Sequence, residues 1–527
     1  MSYTRTFLFF SAAALPALLW SQLLDPALLR QAPREAWASY NGDYTGQRHS
    51  PLSQINASNV KSLTLAWTHR FDLGALSPGP KASAGRKIKA TPLLVGGILY
   101  LSIPDHVWAV DARSGREIWH FEWRKNFANH VGNRGLGMYG DWLYYMTPDN
   151  YLVCLNAKDG SKRWEVQIAD VRANWFSSIA PMVIGNHIIV APGNDDDIRS
   201  FMESRDPETG KLQWRWWVDP GPGEPGSETW SDTATMLKGG GNPWLPGAYD
   251  PELNLYFFGT GNGVPMDRPP HPTPTGDSLY TACIVALNPE TGKMAWYFQA
   301  TPHDTHDWDS AQTPIIFDAE FKGQRRKLLA QASRNGYFFL LDRTTGKNLL
   351  AAKFIPETNW AKGTDAGGHP IPDYSKDANP KGTLVSPDAL GATNWWAPSY
   401  DPKRGLFLVN AARSWAFLSH SGFVRLNHPT EYLTEAIDYR TGKVVWTHEL
   451  GSGAGISGLL STDGDLLFGG DTTGEFLAMD PGTGKTLWHT RLDNFVTNNG
   501  PITYLLDGQQ YVLLAAYDSL YAFSLPR

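Results

Sequence analysis

The stretch AMDPGTGKTLW (478–488) is one copy of a phrase that recurs along the whole 527-residue chain. Close copies are AVDARSGREIW (109–119), ALNPETGKMAW (286–296) and AIDYRTGKVVW (436–446). Each copy reads as a strand that ends in an Asp- or Asn-led turn, in which a glycine supplies the positive φ, followed by a second strand. The phrase therefore predicts a repeated β-hairpin.

Weaker copies fill the gaps and bring the number of units to eight. Their last positions are Trp67, Trp119, Trp164, Trp214, Trp296, Leu350, Trp446 and Trp488. A large flat ring at a fixed place after the turn can wedge between neighbouring sheets and lie against a glycine-bearing turn. Radial repetition of such sheets hides most of their edges. The sequence therefore predicts an all-β, eight-bladed β-propeller with tryptophan-docking repeats, closed by pairing of the final segment 511–525 with the N-terminal unit.

Composition excludes several classes of function. The net charge of -6 and the lack of a Lys/Arg run argue against a nucleic-acid partner. The two cysteines, Cys154 and Cys283, lie in apolar strand-like runs and are expected to be inert core thiols, which excludes a disulfide framework. Because no C-x-x-C-H occurs, a covalently attached c-type haem is also excluded, and electrons must leave to a separate acceptor.

The first 25 residues have the layout of a secretory signal peptide, with Arg5 ahead of the apolar stretch 7–20. That stretch is too short to span a bilayer comfortably, so no stable membrane span is expected. A buried N-terminal helix is the alternative, and the cleavage position stays open. We expect a periplasmic protein in which residues 33–527 form a single propeller domain.

Two Gly/Pro-rich insertions, 219–246 and 356–398, interrupt the repeat and are expected to project over one mouth of the ring. Five further motifs occur outside the repeated phrase. They are GGGNPW (239–244), FGTGN (258–262), TPHDTHDWD (301–309), SRNG (333–336) and NWWAPSYDP (394–402).

With these motifs in this order, the chain from about Trp37 to the C-terminus resembles the methanol/ethanol dehydrogenase family that depends on pyrroloquinoline quinone (PQQ). The resemblance implies a dehydrogenase that oxidises an alcohol, aldehyde or sugar by hydride transfer to PQQ. It also implies a separate cytochrome c as the electron acceptor. A non-catalytic scaffold of the outer-membrane assembly kind shares the tryptophan phrase but has no reason to keep the five motifs, so the enzyme is favoured.

The resemblance also implies which residues bind PQQ. Trp244 matches the tryptophan on which PQQ stacks, although it could be a packing aromatic; Ser178 could likewise be structural. Where the family commonly carries adjacent cysteines over the other face of PQQ, this chain has Ala128 and Asn129. The residues matched to the PQQ pocket are Arg134, Ser178, Asn242, Trp244, Arg334 and Asn394.

A metal ion next to the quinone is the second implied cofactor. Asn262 and Asp307 match two of its ligands, and Asp195 stands where the family has Glu, in an acidic run that could also be a solvated turn. Asp309 adds a further acid, as in the lanthanide-dependent members, so both Ca²⁺ and a lanthanide stay open.

The implied catalytic residues are Asp307, as the acceptor of the substrate hydroxyl proton, and Arg334, which stabilises charge on the quinone oxygens. A gapped alignment would instead give the catalytic role to Asp309. The neighbouring His303 and His306 are expected to have a structural role.

Overall fold

The computed structural model describes residues 23–74, 86–123, 132–194, 198–266, 277–419, 422–425, 430–453, 456–493 and 499–527. In these residues, eight sheets with four antiparallel strands each follow one another along the chain. The predicted all-β, eight-bladed propeller is confirmed. The described part of the chain begins at Leu23, so nearly all of the predicted signal peptide lies outside it.

The sheets are numbered here as blades 1 to 8, and their strands are given in chain order. Blade 1 is Leu93–Val95, Ile98–Ile103, His106–Asp111 and Glu117–Glu122; blade 2 is Gly137–Tyr139, Trp142–Met146, Tyr151–Asn156 and Lys162–Gln167. Blade 3 is Met182–Ile184, His187–Val190, Phe201–Arg205 and Leu212–Trp217; blade 4 is Ala248–Asp250, Leu255–Gly259, Cys283–Leu287 and Met294–Gln299. Blade 5 is Ile315–Phe321, Gln324–Ala332, Tyr337–Asp342 and Asn348–Lys353; blade 6 is Ser399–Asp401, Leu406–Arg413, Glu431–Asp438 and Lys443–Gly451. Blade 7 is Leu460–Thr462, Leu466–Gly470, Glu475–Met479 and Thr486–Arg491, with His49–Ser50 added in parallel; blade 8 is Ile502–Leu506, Gln509–Ala516, Ser519–Ser524 and, from the N-terminal region, Thr64–Arg70.

Blade 8 closes the ring. Its outer strand, Thr64–Arg70, is antiparallel to the last strand of the chain, Ser519–Ser524, with Thr64 opposite Ser524 and Arg70 opposite Ser519. The predicted pairing of the two ends of the chain is confirmed. This pairing gives hydrogen-bond partners to the backbone groups of a sheet edge that could otherwise pair with another chain.

Six of the repeated tryptophans dock on a glycine turn of the following blade, as predicted: Trp67, Trp119, Trp164, Trp214, Trp296 and Trp446. Trp488 instead packs edge-on against Phe523 of blade 8. The Trp446 ring of blade 6 covers Gly484 of blade 7, and a Cβ built on Gly484 would lie 2.5 Å from a ring carbon. The Trp446 ring nitrogen also donates a hydrogen bond to the Pro481 carbonyl, at 3.1 Å. At the joint of blades 5 and 6, where the tryptophan is missing, Leu350 covers Gly442 instead.

The apolar core lies between neighbouring blades. The first strand of a blade is buried, as in Leu93–Val95, whereas the fourth is half-exposed, as in Glu117–Glu122, so the first strands lie towards the centre of the ring. Both cysteines are fully buried and unpaired. Burial raises the pKa of Cys154 to about 12, which agrees with an inert thiol.

Helices are few and short in the described residues. The 3₁₀ segments are Pro26–Arg30, Val60–Ser62, Val171–Ala173, Ser227–Thr229 and Tyr374–Lys376, and the α-helix is Thr233–Met236. Within this part of the chain, no helix has the length and apolar character that a membrane crossing requires. Two small sheets extend from blades 5 and 6: the pair Ala361–Thr364 and Pro370–Pro372, and the trio Thr383–Val385, Ala416–Ser419 and Gly422–Arg425.

Candidate active site

The predicted site residues lie on segments that meet at one end of the ring. Because the first two strands of a blade are antiparallel, the segment entering the first strand and the segment leaving the second share an edge. Arg134, Ser178 and Asn394 precede the first strands of blades 2, 3 and 6. Asn262 and Arg334 follow the second strands of blades 4 and 5. The ring thus gathers residues that are far apart in the chain.

A cavity of about 430 Å³ lies at this end. The predicted residues that line it are Arg134, Ser178, Asn242, Trp244, Asn262, Asp307, Asp309, Arg334 and Asn394. Asp195, the remaining predicted residue, lies outside the described residues, as do Ala128 and Asn129. Two larger cavities, of about 630 and 640 Å³, contain none of the predicted site residues. The predicted site residues thus lie together in a cavity that is smaller than these two.

Glycines let the two motifs around Trp244 and Asn262 meet. The Gly241 amide donates to the Asn262 carbonyl at 2.8 Å, and the Gly261 amide donates to the Gly241 carbonyl at 3.1 Å. A Cβ on Gly261 would lie 2.9 Å from an Asp309 oxygen. These close backbone contacts bring the segments that carry Trp244 and Asn262 together at this corner of the cavity.

Arg134 lies beside two indole rings of the cavity, those of Trp244 and Trp395. Its guanidinium carbon lies 4.7 Å from the centre of the Trp244 ring and 5.6 Å from that of Trp395. The Ser178 carbonyl accepts hydrogen bonds from the Arg134 amide, at 3.1 Å, and from its Nη1, at 3.3 Å. Burial lowers the pKa of Arg134 to about 10. Its buried Nε has no hydrogen-bond partner among the described residues.

Asp309 and Arg334 form a buried ion pair on another side of the cavity. Asp309 also accepts hydrogen bonds from the Trp244 ring nitrogen, at 3.0 Å, and from the Asn262 amide, at 2.7 Å. Burial raises the pKa of the Asp309 carboxyl, and the charge of Arg334 partly offsets that effect. Burial opposes the charge on Arg334, but the neighbouring carboxylates outweigh it and raise its pKa. The pair fixes the orientation of Arg334.

Asp307 is the more accessible acid of the site. Its side chain is 41% exposed, and its carboxylate lies 3.4 Å from Arg334 Nη2. Its backbone is in the left-handed region, with a φ of 68°, which L-residues seldom adopt and which is commoner at functional sites. An accessible carboxylate held beside a buried arginine can accept a proton from a ligand in the cavity.

The two histidines of the 301–309 loop contact the 356–398 insertion and do not line the cavity. His303 lies between two carboxylates, at 3.1 Å from Asp277 and 3.3 Å from Asp377. His306 shares a 2.9 Å hydrogen bond with the Lys376 carbonyl. These contacts support the predicted structural role, because they tie the loop that carries Asp307 to the insertion.

Oxygen donors of the kind that a hard cation prefers line the cavity. Asn262 and Asp307 line the cavity together with Asp309, and amide and carboxylate oxygens are the donors that Ca²⁺ prefers. Within the described ranges, no group of three or more His, Cys, Asp or Glu side chains is arranged to hold a metal ion. The fourth predicted ligand, Asp195, lies in the gap after Asn194.

Other lining residues were not predicted from the sequence. They are Lys89, Phe176, Asn194, Gly240, Val264, Met266, Leu390 and Trp395. Lys89 lies four residues before the first strand of blade 1, and Arg134 lies three residues before that of blade 2. The two residues therefore do not occupy equivalent positions of the repeat, and the repeat does not identify Lys89.

Comparison with known proteins places the chain in a family. The family model described as "Glucose/ethanol/alcohol dehydrogenase, beta-propeller domain" matches residues 37–379. A second model, "Outer membrane protein assembly factor BamB", matches only residues 431–525. The residues matched by this second model therefore include none of the described residues that line the cavity.

Individual relatives agree with the first match. The chain is 34% identical to the quinohemoprotein alcohol dehydrogenase ADH IIB of Pseudomonas putida, over 97% of this chain and 78% of that protein. The solved quinohemoprotein alcohol dehydrogenase of Comamonas testosteroni superposes with a TM-score of 0.86 at 30% identity, covering 95% of this chain and 82% of the other. A europium-containing methanol dehydrogenase superposes with a TM-score of 0.82 at 25% identity, covering 95% and 100%.

Proposed function

Since the chain belongs to the family of PQQ-dependent alcohol dehydrogenases, we propose that it oxidises its alcohol in the cavity between Trp244 and Arg334. The observation that carries this proposal is the combination in one cavity of an indole ring, a buried arginine with an orphaned nitrogen, and an accessible carboxylate beside a second arginine. Each of these groups has a separate use in the reaction.

The lining fits PQQ, which is a flat molecule with three carboxylates and an ortho-quinone. The Trp244 ring offers a flat apolar surface, and Arg134 offers a guanidinium fork next to it. The Asn394 amide is hydrogen-bonded to the Leu390 carbonyl, at 2.7 Å, and so holds its part of the wall in place. When bound, PQQ supplies a quinone carbon that accepts hydride from the carbinol carbon.

In this proposal, Asp307 accepts the hydroxyl proton of the substrate. Its exposure leaves room for the substrate, and its carboxylate lies 3.4 Å from Arg334 Nη2. Arg334 is held by Asp309 and by the Ala389 carbonyl, so that its charge faces oxygen atoms that become negative during the reaction. Holding these groups in place before the substrate binds lowers the barrier, because little reorganisation remains.

A hard metal ion completes the proposed site. We assign Asn262 and Asp307 as its ligands, together with Asp195 and with Asp309 as an additional acid, and the ion would act as a Lewis acid on the quinone. Four ligands that include three acids favour a highly charged cation. Calcium and a trivalent lanthanide are the two candidates.

The proposal includes a separate cytochrome c as the electron acceptor and the periplasm as the location. The sequence contains no C-x-x-C-H, and both cysteines are buried in blades 2 and 4. A covalently bound c-type haem within this chain is thereby excluded. The predicted signal peptide supports export.

Reconstitution tests the proposal. Purified apoprotein is incubated with PQQ and either Ca²⁺ or La³⁺, bound PQQ is measured after gel filtration, and dye reduction is followed with a panel of primary alcohols, aldehydes and sugars. We expect PQQ uptake and alcohol-dependent dye reduction with at least one of the ions. A Trp244→Ala variant should lose PQQ uptake, whereas Trp142→Ala, on blade 2 and outside the cavity, should retain it. Failure of the wild-type protein to take up PQQ with either ion would refute the proposed function.

A further inference from the structure

Lys89 is a cavity residue whose backbone is fixed on both sides. The amide of its neighbour Ile88 donates to the Tyr517 carbonyl at 2.7 Å, and the Thr91 amide donates to the Arg134 carbonyl at 3.0 Å. Ile88 is fully buried, and Thr91 is 2% exposed. The segment that carries Lys89 is therefore tied directly to the segment that carries Arg134.

The side chain of Lys89 packs against Gly132, where any larger residue would overlap it. A Cβ on Gly132 would lie 2.6 Å from Lys89 Cδ and 3.3 Å from its Nζ, and Gly132 has a φ of 145°. The Lys89 ammonium is 5.8 Å from the centre of the Trp395 ring. Gly132 thus accommodates the aliphatic part of Lys89, and the ammonium reaches the indole that Arg134 also approaches.

Two cations of the described lining lie beside one indole ring. Lys89 and Arg134 lie beside Trp395, whereas both acids among the described lining residues, Asp307 and Asp309, contact Arg334. A carboxylate of a ligand that lies next to Trp395 would therefore meet two positively charged groups.

We propose that Lys89 binds a carboxylate of PQQ together with Arg134, beside Trp395. The inference rests on the proposed function and adds a cofactor-binding residue to it. A charged hydrogen bond from a compact ammonium to a carboxylate would complement the fork of Arg134. Lys89 would then contribute to the affinity for PQQ.

PQQ binding to the apoprotein tests this inference without turnover. The Kd of PQQ is measured by quenching of tryptophan fluorescence in Ca²⁺ and in La³⁺ for the wild-type protein, Lys89→Gln, Lys89→Arg and the matched control Lys87→Gln. Lys87 is two residues away in the same segment and does not line the cavity. We expect Lys89→Gln to raise the Kd about tenfold to a hundredfold, Lys89→Arg to recover most of the affinity, and Lys87→Gln to bind as the wild type does.

The trimethyl ester of PQQ provides a second readout. If Lys89 contacts a carboxylate, the ester should bind the wild-type protein and Lys89→Gln equally, because the charge that distinguishes them is gone. An unchanged Kd for PQQ in Lys89→Gln, with the unfolding midpoint of that apoprotein equal to the wild type, overturns the inference and leaves the proposed function standing. Loss of affinity that is equally large for the ester also overturns it, because a general distortion of the cavity would then be the cause.

Discussion

Replacing Gly484 with alanine should destabilise the propeller more than the same change at Gly508. Both glycines have a positive φ, of 71° and 77°. A Cβ on Gly484 would lie 2.5 Å from the docked Trp446 ring, whereas a Cβ on Gly508 would meet no atom within 4 Å. The two substitutions therefore share the backbone penalty and differ in the contact with the tryptophan.

The size of the difference follows from these two terms. An alanine in the left-handed region costs about 1–2 kcal/mol at either position. Overpacking against a side chain that cannot move freely adds about 1–3 kcal/mol, and Trp446 is held by the hydrogen bond of its ring nitrogen to Pro481. We expect a loss of roughly 2–5 kcal/mol for Gly484→Ala and of about 1–2 kcal/mol for Gly508→Ala.

Urea unfolding measures this difference, with midpoints and slopes followed by fluorescence and by circular dichroism. Gly323→Ala, at a φ of 76° with no atom within 4 Å, is a second control. In a Trp446→Ala background, the additional loss at Gly484 should shrink towards the backbone term. Equal losses at Gly484, Gly508 and Gly323 would refute the reasoning that tryptophan docking holds the blades together.

Three further predictions concern charged groups. Asp307→Asn should lower kcat about 10²–10⁴-fold in the reconstituted enzyme and leave the Kd of PQQ within a few-fold of the wild-type value. Stopped-flow and binding measurements distinguish the two effects. A kcat near the wild-type value would rule out Asp307 as the base. Arg343→Met should cost about 3–5 kcal/mol of stability, because the buried Asp250 loses its counter-charge. Asp250 lies 2.7 Å from Arg343, between blades 4 and 5. A urea midpoint equal to the wild type would contradict this. Burial raises the pKa of Glu435 from its ordinary 4.5 to about 8, so its stabilising contribution is complete below pH 4.5 and is lost as the pH rises through about 8. Glu435→Gln should then match the wild type in stability at pH 4 and exceed it at pH 9. Parallel melting curves at both pH values would reveal the opposite order if the reasoning fails.

The sequence by itself determined the architecture of the ring. Each copy of the repeated phrase holds its own strand, turn and docking residue within about a dozen positions, so the pattern is local and can be read without knowing the fold. Even the joint that lacks a tryptophan is visible, since Leu350 occupies the place of the ring and covers Gly442. The family motifs likewise identified the lining residues that have a characteristic neighbourhood, such as Trp244 and Asn262.

The tertiary structure alone decided which side chains share the cavity. Lys89, Arg134 and Trp395 belong to the approaches of blades 1, 2 and 6, and nothing in their local sequences links them. They meet because closing the ring brings the entrances of all the first strands to one end, which is a property of the whole fold. The same holds for the pairing of Arg334 with both Asp307 and Asp309, whose strength depends on burial and on distances that only packing sets.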